Sequence, residues 1–298
     1  MSLTRNLLHV SIVGAGAVGT TLAVMLARKG HRIVSVVSRD VRDARRCARL
    51  TGCKRYSASV ADLDARSDLI VIATPEKAIQ GVVSSIARNP ALSFPHLRVC
   101  HTSGVSTSVE LESLRRRGCL TFSFHPIQTF PKGLSPHRQL KSMEGISYGV
   151  EGAPRALRFG RLLASELGGK MFVVPKEQKI LYHLTCVVAS NYTATLLGVV
   201  GDLARQIGGR GSFRHFANLI DTSVRNAIAL TPEKALTGPI ARGDGSIIKQ
   251  HLQELRRDRN LKALYRELAL RGIMLARRGK KLTRSQVKGL KRILADYG

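Results

Sequence analysis

His125 and Ser103 are the side chains whose types and positions first suggest proton transfer. His125 opens the segment His-Pro-Ile-Gln-Thr-Phe after one apolar run, and Ser103 ends His-Thr-Ser after another. Imidazole exchanges a proton near neutral pH. If both runs are parallel strands, their carboxyl ends share one edge of a sheet. We therefore predict that His125 is an acid or base assisted by Ser103. The alternative is a histidine that bonds only a loop carbonyl.

A long apolar segment at about 179–207 carries a second group of polar side chains. At about 100° per residue, Lys179, His183 and Ser190 share one face of a helix, with Thr193 beside them. Burying such groups without partners is costly, so they face a polar cleft or bond across a helix interface. Burial would also lower the pKa of Lys179 toward a catalytically useful range. We expect Lys179 and His183 to be catalytic.

Four side chains are candidates for holding a substrate: Gln128, Ser190, Asn191 and Arg242. Arg242 lies in the segment Thr-Gly-Pro-Ile-Ala-Arg-Gly-Asp at 237–244, which glycine and proline shape as a loop. A guanidinium there can hold an anionic group with two hydrogen bonds. Alternatively, Arg242 and Asp244 pair with neighbours and cap a helix that begins at Gly245.

The turn after the first apolar run predicts a dinucleotide site. Residues 9–19 read His-Val-Ser-Ile-Val-Gly-Ala-Gly-Ala-Val-Gly, a β-branched run that leads into a G-x-G-x-x-G turn. Such glycines permit a tight turn, close approach of a pyrophosphate, and close packing of helix on strand. The following helix directs its first amides at the phosphates. A purely structural glycine turn is the alternative.

The end of the second predicted strand favours NADP over NAD. NAD-preferring folds place an acid there for the ribose 2′-hydroxyl, whereas this chain has Ser38-Arg39, with Asp40 one step later. A hydroxyl and a guanidinium suit a 2′-phosphate. Asp40 binding the ribose is the alternative. The predicted cofactor contacts are Gly14, Gly16, Ala17, Val18, Gly19, Ser38, Arg39, Ala73, Thr74 and Pro75.

The order of apolar runs predicts an α/β fold. Strand and helix patterns alternate through the first half, which indicates a parallel, doubly wound sheet of the Rossmann type. From about Glu177 the pattern is helical throughout. We predict a dinucleotide-binding Rossmann domain at 1–175 and an all-α C-terminal domain at 176–298 for substrate and dimerisation.

Composition limits the classes of partner. The chain has 298 residues, 44% of them hydrophobic, with 48 Lys and Arg against 20 Asp and Glu and a formal net charge of +28. That charge attracts anions, yet aromatic residues make up only 5% of the chain, so we do not expect nucleic acid as a partner. Five scattered cysteines form no C-x-x-C pair or zinc-type cluster. We expect a cytoplasmic protein without a bound metal.

The apolar stretch 184–201 is interrupted by Thr185, Ser190, Asn191 and Thr193. These polar residues favour a buried helix over a membrane span. We therefore expect no membrane partner.

Four segments together resemble one known family. They are His101–Gly104, His125–Phe130, Tyr182-His183 with Ser190-Asn191, and Leu236–Asp244. They are similar to bacterial Rossmann-like proteins whose C-terminal part is a domain of unknown function, DUF2520, and the resemblance extends from residue 9 to about 270. It implies an NAD(P)-binding oxidoreductase, related to pyrroline-5-carboxylate reductases and to 6-phosphogluconate, 3-hydroxyisobutyrate and ketopantoate enzymes. In those families an all-helical C-terminal domain closes the site and often forms the dimer.

The resemblance also suggests roles. Enzymes acting on β-hydroxyacids use a helix lysine with a nearby asparagine, which Lys179 and Asn191 resemble at a different spacing. Prephenate dehydrogenases carry a catalytic histidine in a His-Pro turn, assisted by an upstream serine, which resembles His125-Pro126 and Ser103. The surrounding residues depart from that pattern, so prephenate is not the expected substrate.

These observations predict an NADP-dependent oxidoreductase acting on a C=O or C=N carbon of a small anionic metabolite. We expect a homodimer formed through the C-terminal helices. The competing hypothesis is a dinucleotide-sensing or scaffold protein without turnover.

Overall fold

The computed structural model describes residues 7–131 and 133–297. The chain forms two compact units, one ending at Thr195 and the other beginning at Leu196. We predicted a division at 175, just before the helix that starts at Lys179. That helix stays with the first unit because Lys179 and Tyr182 are buried in it. The assignment of separate functions to two domains stays a prediction.

Eight strands form one sheet in the order β3-β2-β1-β4-β5-β6-β7-β8. The strands are β1 His9–Val13, β2 Arg32–Val37, β3 Tyr56–Ser57, β4 Leu69–Ile72, β5 Arg98–His101, β6 Leu120–Pro126, β7 Ser147–Gly152 and β8 Lys170–Val173. All neighbouring pairs are parallel except β6 and β7, which are antiparallel. The predicted sheet is confirmed, although it is mostly rather than wholly parallel. The segment between β6 and β7 contains a short helix, Pro136–Lys141, and β7 runs back alongside β6.

Helices cover the sheet in the first unit and make up the second. In the first unit they are α1 Ala17–Arg28, α2 Val41–Thr51, α3 Glu76–Ala87, α4 Glu112–Arg116, α5 Pro136–Lys141, α6 Pro154–Glu166 and α7 Lys179–Val187. A π-helical turn at Val188–Tyr192 joins α7 to α8, Thr193–Gly208. In the second unit they are α9 Ala217–Leu230, α10 Pro232–Ala235, α11 Gly238–Arg242, α12 Gly245–Glu254, α13 Arg259–Arg278 and α14 Arg284–Asp296.

Buried side chains alternate between the two faces of the sheet. In β4, Leu69 and Val71 join the core formed with α1, α2 and α6, whereas Ile70 and Ile72 join the core formed with α3 and α4. Both faces are therefore covered, which explains why the central strands are continuous apolar runs. The second unit has a smaller core, which α12, α13 and α14 form from Ile248, Leu252, Ala269, Ile273, Leu290 and Leu294.

Between β5 and β6 the chain forms a 3₁₀ turn at Ser108–Leu111 followed by the short α4. One local prediction needs correction. The predicted loop at 237–244 contains the short helix α11, since Pro239 suits the first turn of a helix and Gly243, at φ 74°, ends it.

The prediction that 184–201 is a buried helix is wrong for the single chain. Leu184 and Val188 are each 50% exposed and Tyr192 is 55% exposed. The helical stretch Lys176–Gly208 is long and apolar enough to span a membrane by length and composition. Spacing of apolar residues shows that a helix has an apolar face, but it does not show what covers that face.

Candidate active site

The glycine turn lies where the strand order of the sheet reverses, between β1 and β4. Gly14 has a φ of +99°, and a Cβ there would lie 2.6 Å from the carbonyl of Ala73. Above Gly16 the space is open, since no heavy atom lies within 4 Å of a Cβ built there. Helix α1 begins at this point without a side-chain cap. The turn therefore has both the room and the amide donors that a diphosphate requires.

Two polar side chains at the end of β2 have no hydrogen-bond partner in the described part of the chain. They are those of the half-buried Ser38 and the exposed Arg39. Asp40, by contrast, caps α2 by accepting from the Arg42 amide at 2.9 Å and pairs with the Arg42 guanidinium at 2.8 Å. The bonds to Arg42 lower the pKa of Asp40 to about 2. Asp40 is thus occupied as a helix cap.

The turn Ala73–Pro75 after β4, which we call the cofactor wall, contains the next predicted cofactor contacts. The Ala73 amide donates to the Val13 carbonyl at 2.7 Å, which ties this wall to β1 beside the glycine turn. Pro75 stands at the start of α3. The hydroxyl oxygen of Thr74 is buried and has no hydrogen-bond partner among the described residues.

A cleft of about 620 Å³ opens beside the end of β6. Its lining includes His125, Gln128, His183, Ser190 and Asn191. The two imidazoles meet over Gly104, where a Cβ would lie 3.1 Å from His125 Nε2 and 3.0 Å from His183 Cδ2. Glycine at 104 leaves room for both rings.

His125 is uncharged at neutral pH. Burial is the main cause, and the charge of Lys179 adds to it; together they lower the pKa of His125 to about 4. His125 Nδ1 lies 2.6 Å from the hydroxyl of Tyr182. The histidine therefore has a protein partner on one ring nitrogen, and its other nitrogen lies near Gly104.

Lys179 lies beneath the cleft and does not line it. The residue is 1% exposed, and its Nζ donates to Ser123 Oγ at 2.7 Å and to the Ser103 carbonyl at 3.4 Å. Burial lowers its pKa to about 8, the direction expected from the sequence. The ammonium also lies 5.4 Å from the centre of the Tyr182 ring. Its contacts support the strand ends under His125, and a catalytic role for Lys179 stays a prediction.

The Ser103 hydroxyl bonds to Glu76. It donates to Glu76 Oε1 at 2.8 Å and accepts from the amides of Val105 and Ser106. The Ser103 amide donates to Nδ1 of His101, whose Nε2 lies 3.0 Å from the Thr107 carbonyl. Ser103 therefore shapes the turn after β5, and its assistance to His125 stays a prediction.

Two predicted substrate contacts line the cleft with their polar groups already bonded. Gln128 Nε2 donates to the Ser142 carbonyl at 2.6 Å, and its Oε1 accepts from the Thr129 amide. Ser190 Oγ lies 2.8 Å from the Cys186 carbonyl and 2.7 Å from Asn191 Oδ1. The π-helical turn contains both Ser190 and Asn191, so the face predicted at 100° per residue does not continue unchanged beyond Val187.

Arg242 and Asp244 belong to the second unit. Asp244 caps α12 by accepting from the Ile247 amide at 3.2 Å, as the alternative hypothesis for this segment expected. Arg242 is exposed at the end of α11. Its role as an anchor for an anionic substrate stays a prediction.

Four residues at the site were not predicted from the sequence to be functional: Glu76, Ser123, Gly149 and Tyr182. Glu76 directly follows the Thr74-Pro75 wall, and Tyr182 precedes His183, so both stood beside a named candidate. Gly149 lies opposite His125 in the antiparallel pair β6–β7. A glycine inside a strand is a signal of close approach by another group, but it does not say which group.

Two domain families match the chain. A Rossmann-like domain matches residues 2–126, and a domain of unknown function, DUF2520, matches residues 146–271. The fold and the first match define residues 2–126 as a Rossmann-like domain. The chain is, more particularly, one that combines a Rossmann-like domain with a DUF2520 domain, as the resemblance implied.

Several known proteins with a similar sequence or fold are named as oxidoreductases. Glycerol-3-phosphate dehydrogenase [NAD(P)+] of Bradyrhizobium diazoefficiens is 36% identical over 96 residues, which span 29% of this chain and 29% of that protein. A Bacteroides fragilis protein named as a candidate NADP oxidoreductase is 26% identical, with a TM-score of 0.72 over 90% of this chain and 98% of its own. An imine reductase of Myxococcus stipitatus in complex with NADP+ is 18% identical, with a TM-score of 0.60 over 92% and 94%. The chain therefore has the fold of NAD(P)-dependent oxidoreductases.

Proposed function

We propose that this protein is an NADP-dependent oxidoreductase that transfers a hydride between nicotinamide and a C=O or C=N carbon of a small anionic metabolite. One observation carries the proposal. The uncapped glycine turn follows the carboxyl end of β1, and His125 lies at the carboxyl end of β6 in the same sheet, where β1, β4, β5 and β6 run parallel. In open α/β sheets this edge is where ligands bind. The NADP+ complex of the imine reductase supports the choice of cofactor class.

The residues of the chain bind and orient the cofactor. The amides of the turn Gly14–Gly19 would hold the diphosphate, Ser38 and Arg39 the 2′-phosphate, and the wall Ala73–Pro75 would lie beside the nicotinamide end. When bound, the cofactor supplies or accepts the hydride. The use of Asp40 as the cap of α2 supports Ser38 and Arg39 over Asp40 as the groups that contact the ribose.

We assign His125 to proton exchange with the substrate heteroatom. It faces the cleft together with His183, while Ser190 and Asn191 line the cleft from the π-helical turn. In the reduction, neutral His125 would donate from its cleft-facing ring N–H to the substrate heteroatom, and in the oxidation of an alcohol or amine the proton would return to that nitrogen. Arg242 and the net charge of +28 favour an anionic substrate.

The first test separates binding from turnover. We expect His125→Ala to bind NADPH like the parent protein and to lose turnover by about 100-fold or more, since general acid–base catalysis contributes about 10²–10⁴ in rate. NADPH binding is measured by calorimetry, and turnover by nicotinamide absorbance across carbonyl, imine and hydroxyacid substrates. The control is His96→Ala, because His96 is an exposed histidine outside the cleft lining. Unchanged turnover in His125→Ala would remove His125 from the mechanism.

A dinucleotide sensor without turnover is the second candidate function. The observation that favours it is that the Ser103 hydroxyl, the Gln128 amide and the Lys179 ammonium already bond to protein groups. Tight NADPH binding without turnover of any of the carbonyl, imine and hydroxyacid substrates would favour the sensor over the enzyme.

We also propose that the protein is a cytoplasmic homodimer. All five cysteines are free, in keeping with a reducing compartment. Large apolar side chains on α8 and α9 are exposed in the single chain, among them Ile207 at 82% and Ile228 at 81%. Exposed apolar surface of this kind marks an interaction site. A second copy of the chain is the occupant we propose.

A further inference from the structure

We propose that Tyr182 fixes the tautomer of His125, so that the imidazole presents an Nε2–H donor to the cleft. Only the expected effect of Tyr182 on turnover rests on the proposed function. Tyr182 and His125 both lie in the first unit, so their contact does not depend on that function. Tyr182 is 8% exposed and reaches His125 Nδ1 at 2.6 Å.

Three strands build the niche that holds the phenol. Gly149 of β7 lies opposite His125 of β6 on one side and beside Phe172 of β8 on the other. The Tyr182 ring stacks on Phe172, with centroids 6.1 Å apart and planes at 23°. A Cβ on Gly149 would collide with the Tyr182 hydroxyl. Glycine at 149 therefore makes the space through which Tyr182 reaches the histidine.

The phenol is the donor in this hydrogen bond. Burial raises the pKa of Tyr182 well above its usual range, so the hydroxyl keeps its proton. Two groups lie within hydrogen-bonding reach of the hydroxyl, His125 Nδ1 at 2.6 Å and the Cys186 thiol. Sulfur is a weak acceptor, so the phenol donates to the ring nitrogen. Nδ1 therefore accepts, and in the neutral ring the proton must be on Nε2.

Neighbouring groups keep the ring neutral. Lys179, His183 and Cys186 on α7 and His101 on β5 surround the His125–Tyr182 pair. Burial and the charge of Lys179 lower the pKa of His125 and so disfavour a second proton on the ring. Nε2 has no hydrogen-bond partner among the described residues. An Nε2–H donor requires a substrate atom with a free lone pair, which a carbonyl oxygen or an unprotonated imine nitrogen has and a protonated iminium lacks.

The experiment is a long-range ¹H–¹⁵N spectrum of the histidine rings in the free protein, which needs no substrate. We expect Nε2–H in the parent protein and a mixture of tautomers in Tyr182→Phe. Gly149→Ala keeps the hydroxyl but displaces it, and it should give the same mixture. The control is Gly81→Ala, where a Cβ meets no heavy atom within 4 Å; it should keep the parent tautomer.

Two results would overturn the proposal: an Nδ1–H ring in the parent protein, or Nε2–H retained in both variants. If Tyr182→Phe does not fold, Gly149→Ala alone gives the answer. Where turnover is found, Tyr182→Phe should lower kcat about 10-fold or more with little change in KM, because orienting the acid–base group is part of its contribution. Absence of turnover would count against the proposed function and leave the tautomer result standing.

Discussion

His101 illustrates how burial fixes the charge state of residues around this site. Its Nδ1 accepts from the Ser103 amide, so the proton is on Nε2, which donates to the Thr107 carbonyl. Burial lowers the pKa of His101 to about 4. The ring thus serves as a neutral connector between the strand end and the following turn.

This shift predicts a loss of stability in acid. Between pH 6.5 and 4 the unfolded chain binds a proton at His101 that the folded chain does not, so the free energy of unfolding falls as the pH falls. At about 1.4 kcal/mol per pKa unit, the full effect is about 3 kcal/mol. Denaturant unfolding followed by circular dichroism suits this chain, which has no tryptophan.

The matched variants for this prediction are His101→Gln and His96→Gln. His101→Gln should have a shallower pH dependence between 6.5 and 4, because glutamine takes up no proton there. His96→Gln changes an exposed histidine and should follow the parent protein. Parallel curves for the parent and His101→Gln would contradict the assignment.

Arg39 is the residue on which cofactor choice is expected to depend. A guanidinium at the end of β2 can bind a 2′-phosphate through charge-assisted hydrogen bonds. We expect Arg39→Ser to weaken NADPH binding about 10-fold or more and to leave NADH binding nearly unchanged, as measured by calorimetry. Arg49→Ser removes the same charge from an exposed position in α2 and is the control. Equal losses for both nucleotides would show that Arg39 does not read the 2′-phosphate.

At the scale of elements, the turn between β1 and α1 contains glycines that are needed for different physical reasons. Gly19 faces the backbone of Gly14, and a Cβ there would collide with the Gly14 carbonyl. Gly16 faces open space. One glycine is therefore required by packing and the other is free to serve a ligand.

These two glycines make a paired prediction. Gly19→Ala should lower the free energy of unfolding by about 1–3 kcal/mol, the usual cost of overpacking. Gly16→Ala should unfold like the parent protein but bind NADPH more weakly, because its methyl group enters the space proposed for the diphosphate. Thermal unfolding and calorimetry measure the two effects. Unaltered NADPH binding in Gly16→Ala would place the cofactor elsewhere.

At the scale of the whole molecule, the exposed apolar side chains of α8 and α9 predict self-association. Ile228→Glu should convert a dimer into a monomer, because it places a charge in a face that we expect the partner copy to bury. Val109→Glu is the control, since Val109 is an exposed apolar residue in the turn before α4. Sedimentation velocity gives the mass of each. A parent protein that is monomeric at micromolar concentration would refute the dimer.

The local pattern of the chain was enough to predict most of the first unit. The apolar run predicted before the glycine turn forms β1, and the helix predicted after the turn forms α1. These elements follow from nearest-neighbour properties: β-branched runs, a glycine turn and a helix with one apolar face. The match to Rossmann-like and DUF2520 domains confirms the resemblance drawn from His125-Pro126 and its companion segments.

The sequence by itself determined the sheet, the glycine turn and the presence of His125 at a strand end, because each depends on residues close together in the chain. Only the tertiary structure decided the partners of the polar side chains. It placed Ser103 with Glu76, Lys179 with Ser123, and His125 with Tyr182. These pairs lie 27, 56 and 57 residues apart, so no local pattern specifies them. They form because a buried polar group without a hydrogen bond is costly, and the fold decides which partner is within reach.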